Sequence, residues 1–171
     1  MAHPVSYPVL ETLDLAQVPK GSIQKHWLPI ITDGIGSPVR LPVLIARGQS
    51  DGPVLGVTAA IHGNELNGIP VIQRLFAQAQ PERLKGTIVG VPVMNIPGLM
   101  LRQRKFNDGV DLNRIAPGDP EGNFSEVYIY RLIERVLGHF DYLSDLNTDS
   151  MGRVNSGYLS KDMRQDTTAR I

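Results

Sequence analysis

Three short stretches of this sequence concentrate side chains able to do chemistry. The first is His62-Gly63-Asn64-Glu65, an imidazole and a carboxylate three residues apart. Placed across a bend, such a pair points into one cleft and suits Zn²⁺ as a ligand set. The same residues also read as a solvated Glu65 favoured by a helix dipole, with His62 an ordinary loop residue. The second stretch is Asp111-Leu112-Asn113-Arg114, with Arg102 and Arg104 upstream. The planar fork of Arg114 can grip a substrate carboxylate through two hydrogen bonds. Alternatively it is a surface side chain in a weak ion pair with Asp108, Asp111 or Asp119. The third runs from Asp145 through Asn147 to Ser150 and is followed by Gly152-Arg153. Asn147 faces the cleft of His62 if its strand neighbours the one ending at Ile61; otherwise these are turn residues that terminate a strand.

The elements needed to position these groups are visible in the hydrophobic pattern. Val54 to Ile61 is an apolar run with small residues, as in a strand buried on both faces. After Glu65 the period changes, and Leu66, Ile69, Ile72, Leu75 and Phe76 recur at helical spacing to about Gln80. Pro70 is tolerated only near a first turn, so this helix is expected to begin close to Glu65. Thr87 to Asn95 reads as a second buried strand, giving a strand, helix, strand unit with parallel strands and a right-handed crossover. His62 and Glu65 then lie beyond the carboxyl end of a strand, where open α/β sheets bind ligands.

Upstream, His26 to Thr32 and Val39 to Arg47 are joined by the turn residues Asp33 to Pro38 and read as a hairpin, while a second turn spans Gln49 to Pro53. Met1 to about Lys20 has no sustained period and is expected to lie on the surface as an arm. Ile96 to Asn123 reads as a long, functional loop. Asn123 and Glu126 have capping-box spacing, with a helix expected to reach about Gly138, followed by a short strand from Asp141 to Leu146.

Composition removes several function classes. Seventeen Lys and Arg balance seventeen Asp and Glu, and the longest basic cluster is Arg102, Arg104 and Lys105, so a nucleic-acid partner is not expected. No apolar stretch approaches the roughly 20 residues of a membrane span. The sequence has no cysteine, which excludes disulfides and thiolate chemistry and is compatible with the cytoplasm, the expected location.

Taken together, Ile61-His62-Gly63-Asn64-Glu65-Leu66-Asn67-Gly68, Val110-Asp111-Leu112-Asn113-Arg114 and the stretch Asp145 to Ser150 with Gly152-Arg153 resemble the succinylglutamate desuccinylase/aspartoacylase family, a branch of the zinc carboxypeptidase superfamily. The resemblance runs from about residue 25 to the C-terminus. It implies an α/β/α sandwich around a mixed, largely parallel sheet, truncated at its C-terminus, with residues 1–25 an arm and 26–171 the N-terminal portion of the metal-binding domain. It further implies zinc as cofactor, held by His62 and Glu65, with Asn147 at the position of the third ligand. By the same resemblance Asn113 and Arg114 hold the carboxylate or carbonyl of the substrate, and Arg104 polarises the scissile carbonyl. The implied activity is zinc-dependent hydrolysis of N-acyl amino acids or related small amides, so the partner is a small molecule bearing a carboxylate; a homo-oligomer stays open. Two departures stand out. Where the family pattern has a His ligand this chain has Asn147, and an amide oxygen is a poor donor to Zn²⁺ beside imidazole. After Asn147 only Asp149, Asp162 and Asp166 carry carboxylates, and none matches the general-base Glu of the family. The competing expectation is therefore a catalytically inactive member of the family that binds ligand.

Overall fold

A computed structural model describes residues 7–148. Five strands form one mixed sheet in the order β1-β2-β4-β3-β5, where β1 is Ser22–Thr32, β2 Pro38–Arg47, β3 Ser50–Ala59, β4 Lys85–Val91 and β5 Tyr142–Leu146. The hairpin β1–β2 is antiparallel, and β2 pairs antiparallel with β4. Asp33 closes the hairpin turn, its Oδ1 accepting the backbone N–H groups of Ile35 and Ser37 at 3.0 and 2.8 Å. The expected parallel unit is present: β3 and β4 run parallel, joined through helix α1, Gly68–Gln78. On its other side β3 pairs in parallel with β5, with Ala59 opposite Leu146. The pairings thus divide evenly, because the hairpin enters the sheet antiparallel to β4.

Helices cover both faces of the sheet, which makes the expected α/β/α arrangement. On one face Ile72 and Phe76 of α1 pack on Ala46, Val57 and Ala59. On the other, helix α4, Phe124–Arg135, sends Tyr128, Ile129 and Leu132 into the larger core with Leu28, Ile30, Ile45, Val89 and Val91. The expected capping box forms at the start of α4: Asn123 Oδ1 accepts Glu126 N–H at 3.1 Å, and Glu126 Oε2 accepts Asn123 N–H at 2.8 Å. The segment expected as one long loop holds two short helices, α2 at Ile96–Met100 and α3 at Leu112–Ile115. They are too short to show a period of their own. Residues 149–171, with Asp149, Gly152, Arg153, Asp162 and Asp166, lie outside the described residues.

The N-terminal segment differs from the surface arm expected. Leu10, Leu13 and Val18 are buried in the larger core, and β1 starts at Ser22 rather than His26. Leu10 N–H donates to Trp27 O and Trp27 N–H to Pro8 O, both at 2.9 Å. The Arg47 guanidinium donates to the carbonyls of Leu15 and Val18. An irregular segment that buries single residues leaves no repeat for pattern reading to detect. Likewise β3 begins at Ser50, where a turn was expected, since the ladder tolerates an irregularity between Ser50 and Val54. Its outer part is less covered than the pattern implied: Leu55 is exposed, and burial on both faces starts only at Gly56.

His26 sits among the inward-facing residues of β1, and neither ring nitrogen has a hydrogen-bond partner among the described residues. Burial holds its pKa below the ordinary value of about 6.5. The unfolded chain therefore takes up the proton first as pH falls through that value, so this residue's contribution to stability is present above it and is lost toward acid pH. The melting temperature should fall more between pH 7.5 and 5.5 in the native sequence than in His26→Leu. Parallel pH dependence in the two proteins would show that this imidazole does not couple folding to protons.

Candidate metal and substrate site

The three parallel strands β4, β3 and β5 end on the same side of the sheet, and the candidate residues follow these ends. After β3 the chain turns at Ala60, which has a left-handed φ of 52°. Glu65 N–H donates to His62 O at 3.0 Å, and this bend brings the two side chains together before α1 begins. α1 therefore starts at Gly68, later than its apolar pattern suggests. Two close approaches fix the bend. A Cβ at Gly63 would lie 2.0 Å from the Gly98 carbonyl carbon, and one at Gly68 would lie 2.6 Å from Ala59 Cβ. Only glycine admits the Gly98 backbone at the first position and the Ala59 methyl at the second.

His62 and Glu65 are 5% and 3% exposed, and His62 Nδ1 lies 3.0 Å from Glu65 Oε1. That approach is not a hydrogen bond; Nδ1 has no hydrogen-bond partner among the described residues. The other ring nitrogen, Nε2, lies 3.1 Å from Asp111 Oδ1. A carboxylate only accepts, so Nε2 donates to Asp111; in the neutral imidazole Nδ1 then keeps its lone pair. Arg104 bridges the two acids, Nη1 to Glu65 Oε1 at 3.0 Å and Nε to Asp111 Oδ2 at 3.2 Å. Glu65 Oε2 accepts the backbone N–H of Thr148 at 3.0 Å, which ties the exit of β5 into the site. Burial pushes the Asp111 carboxyl up, but the hydrogen bond and attraction from His62, the charge of Arg104 and the Asn113 N–H outweigh it and hold the group below the usual carboxylate range.

This arrangement admits a cation in part. Ligand atoms on a tetrahedral ion at ~2.0–2.2 Å stand roughly 3.3 Å apart, close to the separation of Nδ1 and Oε1. Among the described residues, however, no three His, Cys, Asp or Glu side chains form a group that could hold an ion.

The catalytic-domain model of the succinylglutamate desuccinylase/aspartoacylase family matches residues 51–158. The chain belongs to this family. It is 36% identical over 101 residues to the N-alpha-acetyl-L-2,4-diaminobutyric acid deacetylase of Halomonas elongata, covering 58% of this chain and 29% of that one. Among solved structures, an aspartoacylase family protein from Mesorhizobium loti aligns with a TM-score of 0.68 at 30% identity, covering 80% of this chain and 42% of that one. A succinylglutamate desuccinylase/aspartoacylase from Rhodobacter sphaeroides aligns with a TM-score of 0.67 at 27% identity, covering 75% and 40%. The chain thus spans less than half the length of these relatives.

For this aspartoacylase-family chain the structure unites some of the expected site residues and separates others. His62, Glu65 and Arg104 meet. Arg114 is not the buried anchor one reading required: its side chain is 82% exposed and lies 3.6 Å from Asp111 Oδ2, the weak surface pair of the other reading. Asn113 is also exposed and gives its backbone N–H to Asp111 at 3.2 Å. The strand before Asn147 does neighbour β3, and the Asn147 side chain is exposed and donates to Asp145 Oδ2 at 2.6 Å. A carboxylate two residues back is the nearest strong acceptor for the amide, and Asp145 is itself fixed by Thr58 Oγ1 at 2.7 Å.

Asp111 was visible only as a possible partner of Arg114. The signal for a larger role was a carboxylate placed to cap the next short helix, where its orientation is fixed. Asp111→Ala should leave His62 Nε2 buried without an acceptor and lower stability by about 1–3 kcal/mol. Urea denaturation measures this, and an unchanged midpoint would mean that the contact contributes nothing to the fold.

Proposed function

We propose that this chain forms the metal-binding and substrate-anchoring part of a zinc-dependent deacylase acting on N-acyl amino acids or related small amides. The observation that carries the reading is the buried pair of His62 Nδ1 and Glu65 Oε1, 3.0 Å apart, with Asp111 behind the imidazole. His62 and Glu65 would hold the ion, and Asp111 would keep the imidazole proton on Nε2 so that Nδ1 remains a donor atom. Zn²⁺ held there would act as a Lewis acid toward an acyl carbonyl and lower the pKa of a water. Arg104 holds both carboxylates in place and is a cation beside Glu65 able to turn toward a developing negative charge. Arg114 and Asn113, both exposed beside Asp111, are available to a substrate carboxylate. The name of the Halomonas relative, a deacetylase of an N-acetylated amino acid, supports this substrate class.

A second reading, a family member that binds its ligand without turnover, is favoured by Asn147, which is turned to Asp145 instead of completing the ligand set. Competition against a chromogenic chelator tests the metal site. The native sequence should bind one zinc and His62→Ala none; unchanged stoichiometry in the mutant would overturn the ligand assignment. Thr148 N–H already reaches Glu65, so an imidazole one residue earlier has little distance to cover, and Asn147→His should bind zinc at least about tenfold more tightly, a gain of about 1.4 kcal/mol. Hydrolysis of N-acetyl amino acids at ordinary enzyme rates, stopped by a chelator, would decide for the catalytic reading over the ligand-binding one.

A further inference from the structure

The His62 loop is held by a residue that none of the motifs contains. Asn95 follows β4 and is fully buried. Its backbone N–H donates to Ala60 O at 3.1 Å and its Nδ2 to Ile61 O at 3.2 Å. These are the two consecutive carbonyls that precede His62, and the first belongs to the residue with left-handed φ. At its other end Asn95 Oδ1 accepts Gly98 N–H at 2.8 Å and so caps α2. Gly98 is in turn the backbone on which Gly63 packs. One amide therefore grips the chain just before His62 and fixes the surface that supports it just after. The strand end carrying Asn95 is anchored as well, since the buried Tyr128 hydroxyl donates to Met94 O at 2.6 Å.

We propose that Asn95 is a positioning residue for His62. Through Ile61 O it fixes the orientation of the imidazole, so that Nε2 meets Asp111 and Nδ1 faces Glu65. The proposal rests on the metal-site reading for its consequence, weaker zinc binding when Asn95 is altered, but not for its geometry. The alternative is that Asn95 serves only as the cap of α2. Serine and aspartate are good caps and keep an acceptor for Gly98 N–H, but an ionised aspartate has no donor for Ile61 O, and the serine Oγ, one bond shorter than the amide nitrogen, falls short of it. Asn95→Ser and Asn95→Asp thus separate the two roles, and either one suffices if the other fails to fold.

Two measurements decide. Nitrogen-15 NMR of the His62 ring in metal-free protein should show a single tautomer protonated at Nε2 in the native sequence and averaged signals in the variants. Zinc affinity, by chelator competition, should fall roughly 10-fold or more in the variants, as when a partner that orients a ligand is removed. A native His62 spectrum in both variants, with only a lower melting temperature, would overturn the proposal and leave Asn95 as a cap. If the native sequence binds no zinc, the metal-site reading fails, while the ring spectra still decide the role of Asn95.

Discussion

The buried charge of Glu65 is the constraint on which the rest of the site depends. A carboxylate removed from water is strongly destabilising unless charges and hydrogen bonds surround it. Here Arg104 arrives from the segment after α2 and a backbone N–H arrives from the exit of β5. Arg104 in turn needs a second acid to satisfy its fork, which is Asp111, and Asp111 holds His62. One acidic residue thereby determines where three separate stretches of chain must lie. The segment between α2 and α3 has little regular structure of its own and gains its place from this network, together with Phe106, which is buried against Phe124 and Tyr128.

The sheet makes that convergence possible. Three neighbouring strands run parallel, so their carboxyl ends open on one edge, and each end contributes something different. The end of β3 gives the His62 bend, the end of β4 gives Asn95, and the end of β5 gives Thr148 N–H. A cleft outside the carboxyl ends of parallel strands is the general ligand position in such sheets. The antiparallel hairpin on the other side of β4 takes no part in the site; it completes the core under α4.

Much of this was legible in the sequence wherever a local rule operated. The change of period after Glu65 marked the strand-to-helix junction, and Asn123 with Glu126 marked the start of α4 to the residue. The neighbourhood of β3 and β5 stood in the sequence only as a condition, which the pairing of the two strands meets, and the direction of the Asn147 side chain was not encoded at all. Where it points depends on a competition between Asp145 and the cleft that spacing alone does not encode. The buried N-terminal residues were missed because their contacts are individual and aperiodic. Arg104 was legible as a cation near the site, but its bridge between two acids was not, since Glu65 and Asp111 are far apart in the chain and meet only in the folded state.

The hydrogen bond from Thr148 to Glu65 spans 83 positions of sequence. Closing so long a loop costs entropy, which the packing of β3, α1 and β4 between its ends helps to offset. Chains leave the ribosome at about 5–20 residues per second. For several seconds of synthesis, then, the Glu65 carboxylate exists without the Thr148 N–H, in a nascent chain whose strands β3 and β4 can already pair. The arrangement around Glu65 is a late acquisition in the life of the molecule, completed when β5 docks and not when Glu65 itself emerges.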